Sequence, residues 1–94
     1  MNIKHESSAS TGVFSIEEKG KRLGELVYRK INASLISIDH TEVSEILRGK
    51  GAGKQLVSAA VDYARHHAMK IKPHCSFARA LFERIPEFQD VLYV

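Results

Sequence analysis

Only one residue of 94 is cysteine, so no internal disulfide can form and the fold does not depend on an oxidising compartment. The expected location is therefore the cytoplasm. No apolar run approaches the ~20 residues that cross a bilayer, so no membrane partner is expected. The polar, serine-rich opening from Met1 to Thr11 lacks an apolar core. Residues 1–11 read as a loose, flexible lead-in, neither signal peptide nor anchor. An excess of one charge is also missing: fourteen Lys and Arg stand against eleven Asp and Glu, for a net charge of +3. The basic residues are spread along the chain and interleaved with acidic ones, which argues against nucleic acid. His66, His67 and His74 have no further ligands at metal-binding spacing, so no metal is expected. A hydrophobic content of 44% with 27% charged residues excludes a disordered chain. This length predicts a single domain, over residues 12–94, with room for one site.

Glycine is sparse as well, at six residues, yet three of them are Gly49, Gly51 and Gly53. They lie in the run Leu47-Arg48-Gly49-Lys50-Gly51-Ala52-Gly53-Lys54, between a β-branched segment and an amphipathic one. A backbone that curls its N–H groups around an anion needs unusual φ/ψ and close approach, and glycine supplies both. A helix beginning there adds unpaired N–H donors and the positive end of its dipole. Arg48, Lys50 and Lys54 add charge at the same place. The spacing is wrong for a P-loop, because Gly53-Lys54 follows Gly49 too closely and Gln55 replaces the magnesium-binding Ser or Thr. It is also wrong for a dinucleotide fingerprint, whose third glycine falls one residue later than Gly53.

Elsewhere the pattern is that of a mixed chain. Val13 to Glu18 alternates, Lys19-Gly20-Lys21 turns, and Leu23 to Lys30 forms the second arm of a hairpin. Ala33 to Val43 is a long central strand. Its period of two places Ile36, Ile38, His40 and Glu42 on one face and Leu35, Ser37, Asp39, Thr41 and Val43 on the other. Gly51 to Ala68 repeats at helical spacing. Met69 to His74 is extended, Ser76 is the expected N-cap of a second helix from Phe77 to about Arg84, and Pro86 closes it. Glu87 to Val94 is expected to add a short last strand. The fold class is α+β: a mainly antiparallel mixed sheet flanked by two helices, in the order β-β-β-α-β-α.

Arg48-x-x-Gly51-x-Gly53 resembles the pyrophosphate loop of the GNAT acetyltransferase superfamily, in which R/Q-x-x-G-x-G/A hands the coenzyme A diphosphate to a helix. Cys75-x-x-Ala78-x-x-x-Phe82 is similar to that family's N-x-x-A-x-x-x-Y, with Cys75 at the Asn position and Phe82 at the Tyr position. From Val13 to Leu92 the chain looks like the minimal single-domain GNAT-like N-acetyltransferases. The resemblance implies acetyl-CoA as cofactor, held by Val43, by Arg48, Gly49, Lys50, Gly51, Ala52, Gly53 and Lys54, and by Phe82. It also implies two strands that splay apart to admit pantetheine, and acetyl transfer to a primary amine of a protein, peptide or polyamine. The alternative is a coenzyme A binding module without transfer, because Phe82 has no proton to give. A monomer or weak homodimer is expected.

Three side chains carry the expected chemistry. His40 and Glu42, two residues apart just before the loop, are candidates to deprotonate an incoming ammonium. Cys75, at a strand end leading into a helix, is a candidate nucleophile where the helix dipole favours a thiolate. Direct attack of an amine on the thioester needs only a base and an oxyanion donor, whereas an acyl-enzyme at Cys75 needs a base for the sulfur.

Overall fold

Phe14 and Ile16, Leu26 and Tyr28, and Ile36 and Ile38 recur with the period of a strand, and each of them is buried. Leu56, Val57, Ala60, Val61 and Ala64 recur with the period of a helix and are fully buried. The two sets face each other and form the core. A computed structural model describes residues 2–94. Its sheet has five strands in chain order: β1 Ile3–Ser7, β2 Thr11–Glu18, β3 Lys21–Asn32, β4 Leu35–Val43 and β5 Lys70–Pro73. The first four form an antiparallel meander. β5 returns parallel to β4, which requires a crossover, and helix α1, Ala52–His66, provides it. Helix α2, Ser76–Arg84, and a 3₁₀ helix over Pro86–Val91 follow. The α+β class holds, and the order becomes β-β-β-β-α-β-α.

The added strand corrects the reading of the first eleven residues as a loose lead-in. Ile3 to Ser7 pairs in register with Ile16 to Gly12. As an edge strand it buries little: Ile3 is half-buried and its neighbours are exposed, so its composition stays polar. His5 anchors it. The imidazole stacks on Phe14, with centroids 4.1 Å apart and planes within 6°, and Nε2 lies 2.8 Å from the Tyr28 hydroxyl. Tyr28 is fully buried and packs across Gly12, where a Cβ would fall 2.2 Å from the ring.

Burial, then the charges of Lys30 and His67, lower the pKa of His5 below its ordinary value. A folded state that disfavours the imidazolium binds fewer protons than the unfolded chain. Stability is therefore level above the unfolded value of about 6.5 and falls as pH drops from there through the folded value. Urea melts between pH 7.5 and 5 are expected to show this decline and His5→Gln to flatten it; an equal slope in both proteins would exclude His5 as its source.

Two further expectations are corrected near the end of the chain. Cys75, not Ser76, is the N-cap of α2, with its Sγ accepting from the Ala78 N–H at 3.4 Å. The expected last strand is the 3₁₀ helix, begun by Pro86 at its first position. Among the described residues only Leu92 bridges to Ile71, and the Tyr93 N–H donates to the Ile71 carbonyl at 2.8 Å. This segment is pinned to α1 by Arg65, whose guanidinium forks onto Asp90 at 2.8 Å twice and also donates to the Glu87 carbonyl. Among the described residues, no helix is long and apolar enough to cross a membrane.

Candidate active site

β4 carries an irregularity that decides where its polar residues point. Tyr28 of β3 pairs with Ile38, but the next residue, Val27, pairs with His40, so Asp39 is an extra residue. A bulge of one residue exchanges the faces of everything beyond it. Ile36 and Ile38 face α1, whereas His40 and Glu42 lie on the opposite face, beside Val27 and Glu25. The expected grouping of all four on one face is thereby corrected. Asp39 locks the bulge, accepting from Arg29 Nε at 2.7 Å and from Ser37 Oγ at 2.5 Å. Burial acts to raise its pKa, but the hydrogen bonds from Arg29 and Ser37 outweigh it and hold the carboxyl below its ordinary value.

His40 and Glu42 remain neighbours on that face. His40 Nε2 lies 3.5 Å from a Glu42 oxygen and 3.8 Å from one of Glu25. Arg22 binds Glu25, Glu17 and Glu6 nearby, at 3.4, 3.5 and 3.8 Å. A shallow depression of about 300 Å³, lined by Arg22, Leu23, Gly24, Glu25, Glu42 and Ser44, adjoins the pair.

Beyond the bulge the sheet opens. Pairing between β4 and β5 ends at Ile38 and Pro73, where the Ile38 carbonyl accepts from both His74 and Cys75 N–H, at 2.9 and 3.1 Å. Pro73 cannot continue the ladder, and the chain turns away into α2. β4 runs on to Val43 without a partner on that side. The Ser44 N–H donates to Leu23 on the β3 side at 2.8 Å, so alternation turns the Val43 N–H toward the gap. Thr41 Oγ1 and Cys75 Sγ face each other at its head, 3.4 Å apart.

The gap widens into the larger cleft, of about 470 Å³. Val43 and Ser44 line its β4 side, Leu47, Arg48, Gly49 and the run Gly51 to Lys54 its floor, and Phe77, Leu81, Arg84 and Ile85 its α2 side. The glycine run behaves as its chemistry predicts. Gly49 and Gly51 take φ of +79° and +72°, and Gly51 is the N-cap of α1 with no side chain to satisfy the first turn. The first helical bond is Gln55 N–H to the Gly51 carbonyl, at 3.0 Å, which leaves the N–H groups of Ala52, Gly53 and Lys54 for an external acceptor. Among the described residues nothing lies within 4 Å of a Cβ built at Gly49 or Gly51. These donors, this open space and the flanking Arg48 and Lys54 fit a diphosphate.

Of the residues assigned to the cofactor, Val43, Arg48, Gly49, Gly51, Ala52, Gly53 and Lys54 line this cleft. Lys50 is exposed beside it. Phe82 is elsewhere: it is buried in the core against Phe88, with ring centroids 5.7 Å apart. Phe77, Leu81, Arg84 and Ile85 were not foreseen, although the i, i+4, i+7, i+8 spacing marks one helical face. Gly53 has a different role from its neighbours. Its backbone is ordinary helix, and a Cβ there would lie 2.3 Å from Cζ of Phe77, so the missing side chain lets α2 close over α1. Cys75 is half-buried at the gap and not next to His40, which the bulge turns to the other face. Its partners are a hydroxyl and a backbone N–H, and neither is a base. Among the described residues no group of three or more His, Cys, Asp and Glu could hold a metal.

A glycine-built anion cradle at a helix start, entered from a gap between parallel strands, agrees with what comparison of the sequence finds. The model of the GCN5-related N-acetyltransferase family matches residues 13–91. The chain belongs to this family. Within it, a GCN5-like protein from Staphylococcus aureus, solved in solution, is 36% identical and superposes with a TM-score of 0.73 over 98% of this chain and 89% of that one. Protein NATD1 of Mus musculus is 28% identical over 61 residues, which are 65% of this chain and 56% of that protein. The chain thus spans little more than half the length of that curated relative. A GNAT family acetyltransferase from Elizabethkingia anophelis with acetyl-CoA bound shares the fold at 16% identity, with a TM-score of 0.63 over 80% of this chain and 52% of that one.

Proposed function

We propose that this chain binds acetyl-CoA in the larger cleft and transfers the acetyl group to a cationic primary amine that arrives from the opposite face of β4. The observation that carries the reading is the placement of two chemistries on either side of one strand end. The anion cradle of Gly49 to Lys54 lies on one side, and His40 with Glu42 and Glu25 lies on the other. Unpaired N–H groups at the start of α1 hold the diphosphate, and Arg48 and Lys54 add charge. When bound, acetyl-CoA supplies a thioester carbonyl. The His40–Glu42 pair takes a proton from the ammonium, the freed amine nitrogen bonds to the carbonyl carbon, and the carbon–sulfur bond breaks with its electron pair left on sulfur, which takes the nitrogen's surplus proton and departs as the free thiol. Glu6, Glu17, Glu25 and Glu42 outnumber Arg22, which pairs with the first three, and the surplus of negative charge favours the approach of polyamines or lysine-rich peptides. Direct transfer is favoured over an acyl-enzyme because, among the described residues, the partners of Cys75 Sγ are the Thr41 hydroxyl and the Ala78 N–H, neither of them a base.

A ligand bound only by the native state at ~100 times its dissociation constant stabilises by about 2.7 kcal/mol. Thermal melts at equal concentrations are expected to show that gain with acetyl-CoA and far less with ATP or NAD; an unchanged midpoint with acetyl-CoA would refute the cofactor. Release of free thiol on adding spermidine or a lysine-rich peptide then marks an enzyme. Binding without such release assigns the chain to the non-catalytic coenzyme A module, a role that the burial of Phe82 away from the cleft would suit.

A further inference from the structure

Helix α2 lies along one side of the cleft. Its N-cap, Cys75, meets Thr41 where the strands part, Phe77 seats against Gly53 at the glycine loop, and Arg84 stands seven residues further on. At a helical rise of 1.5 Å per residue, that is about 10 Å beyond Phe77, away from the strand gap. Phe77, Leu81 and Arg84 share the face that lines the cleft, so the apolar wall ends in a guanidinium. Among the described residues Arg84 makes no ion pair, whereas Arg48 in the glycine loop lies 3.5 Å from Glu45. A planar fork of donors with no internal partner suits a phosphate monoester dianion, which accepts two parallel N–H bonds.

We propose that Arg84 binds the 3′-phosphate of the coenzyme's adenosine, and that the chain thereby selects free coenzyme A over acyl donors lacking that group, such as protein-borne phosphopantetheine. The assignment rests on the acetyl-CoA reading above. With the thioester at the strand gap and the diphosphate on the N–H groups of Ala52 to Lys54, the nucleotide end lies toward Arg84. Arg84 is thus a specificity residue, separate from the diphosphate cradle.

Calorimetric titration of the full chain with coenzyme A and with 3′-dephospho-coenzyme A tests this. The wild type is expected to bind coenzyme A about tenfold or more tightly than the dephospho form, the range of a charge-assisted contact. Arg84→Gln is expected to erase that preference by weakening coenzyme A alone, and Arg84→Lys to keep part of it. Arg48→Gln, at the diphosphate, is expected to weaken both ligands by a similar factor. Equal affinity of the wild type for the two ligands, or an equal loss of both in Arg84→Gln, overturns the assignment. Because Arg84 is exposed, retained binding of the dephospho ligand also shows that the variant is folded. Binding of neither ligand by the wild type would overturn the acetyl-CoA reading and this assignment with it.

Discussion

Acetyl transfer by His40→Ala is expected to fall about 10²-fold or more, the usual contribution of a positioned base, while binding of acetyl-CoA stays within a factor of two or so. The imidazole is half exposed and sits on the face opposite the cleft, so its loss leaves the cradle untouched. Glu42→Gln is expected to lower turnover less, because Glu25 still faces the ring at 3.8 Å. Cys75→Ala keeps most of the activity if the amine attacks directly and loses nearly all of it if an acyl-enzyme is obligatory. Steady-state rates with a fixed amine separate these cases. Full activity in both His40→Ala and Cys75→Ala would exclude both mechanisms.

Gly53→Val is expected to abolish the stabilisation by acetyl-CoA, about 2.7 kcal/mol at 100 times the dissociation constant, without unfolding the chain. Positive φ is not the reason, since that strain belongs to Gly49 and Gly51. Any Cβ at position 53 enters the Phe77 ring, with Cζ at 2.3 Å and Cε2 at 2.7 Å. Phe77 is 43% exposed and can swing outward, so the cleft loses its wall while the core keeps its packing. Gly53→Ala sharpens the test. Alanine is favoured over glycine in a helix by roughly 1 kcal/mol, which offsets the displaced ring, so its melting point should stay near the wild type while ligand affinity drops. Normal affinity of Gly53→Val in calorimetry would show that the cleft is not the cofactor site.

The parts of this fold that follow a regular period were legible in the sequence, and the departures from period were not. Alternation at Phe14 and Ile16 and helical spacing from Ala52 to Ala64 report burial directly. The bulge at Asp39 leaves no such trace, because an inserted residue changes the phase of a pattern whose polar members look alike on either face. His40 and Glu42 were therefore found as a pair and assigned to the wrong side of the sheet. β1 was missed for a related reason: an edge strand held by one stacked histidine has no alternation of apolar residues to display. Motif spacing led to Phe82, which the helix turns into the core together with Ala78. The cleft-facing set of Phe77, Leu81 and Arg84 is set by how α2 docks on Gly53, a contact between distant segments that composition does not encode.

The meander and the cleft also differ in when they can exist. β1 to β4 each pair with the strand next in sequence, so their closure involves short loops and proceeds quickly. Every wall of the cleft comes from residues after Glu42, so the cleft forms only once α1 and α2 have docked on the meander. Phe14, Ile16, Leu26, Tyr28, Ile36 and Ile38 form one apolar surface that stays uncovered until α1 packs against it. Until then the paired meander is an apolar sheet with a free edge, the kind of surface most open to aggregation. The Arg65–Asp90 pair then ties the 3₁₀ helix to α1.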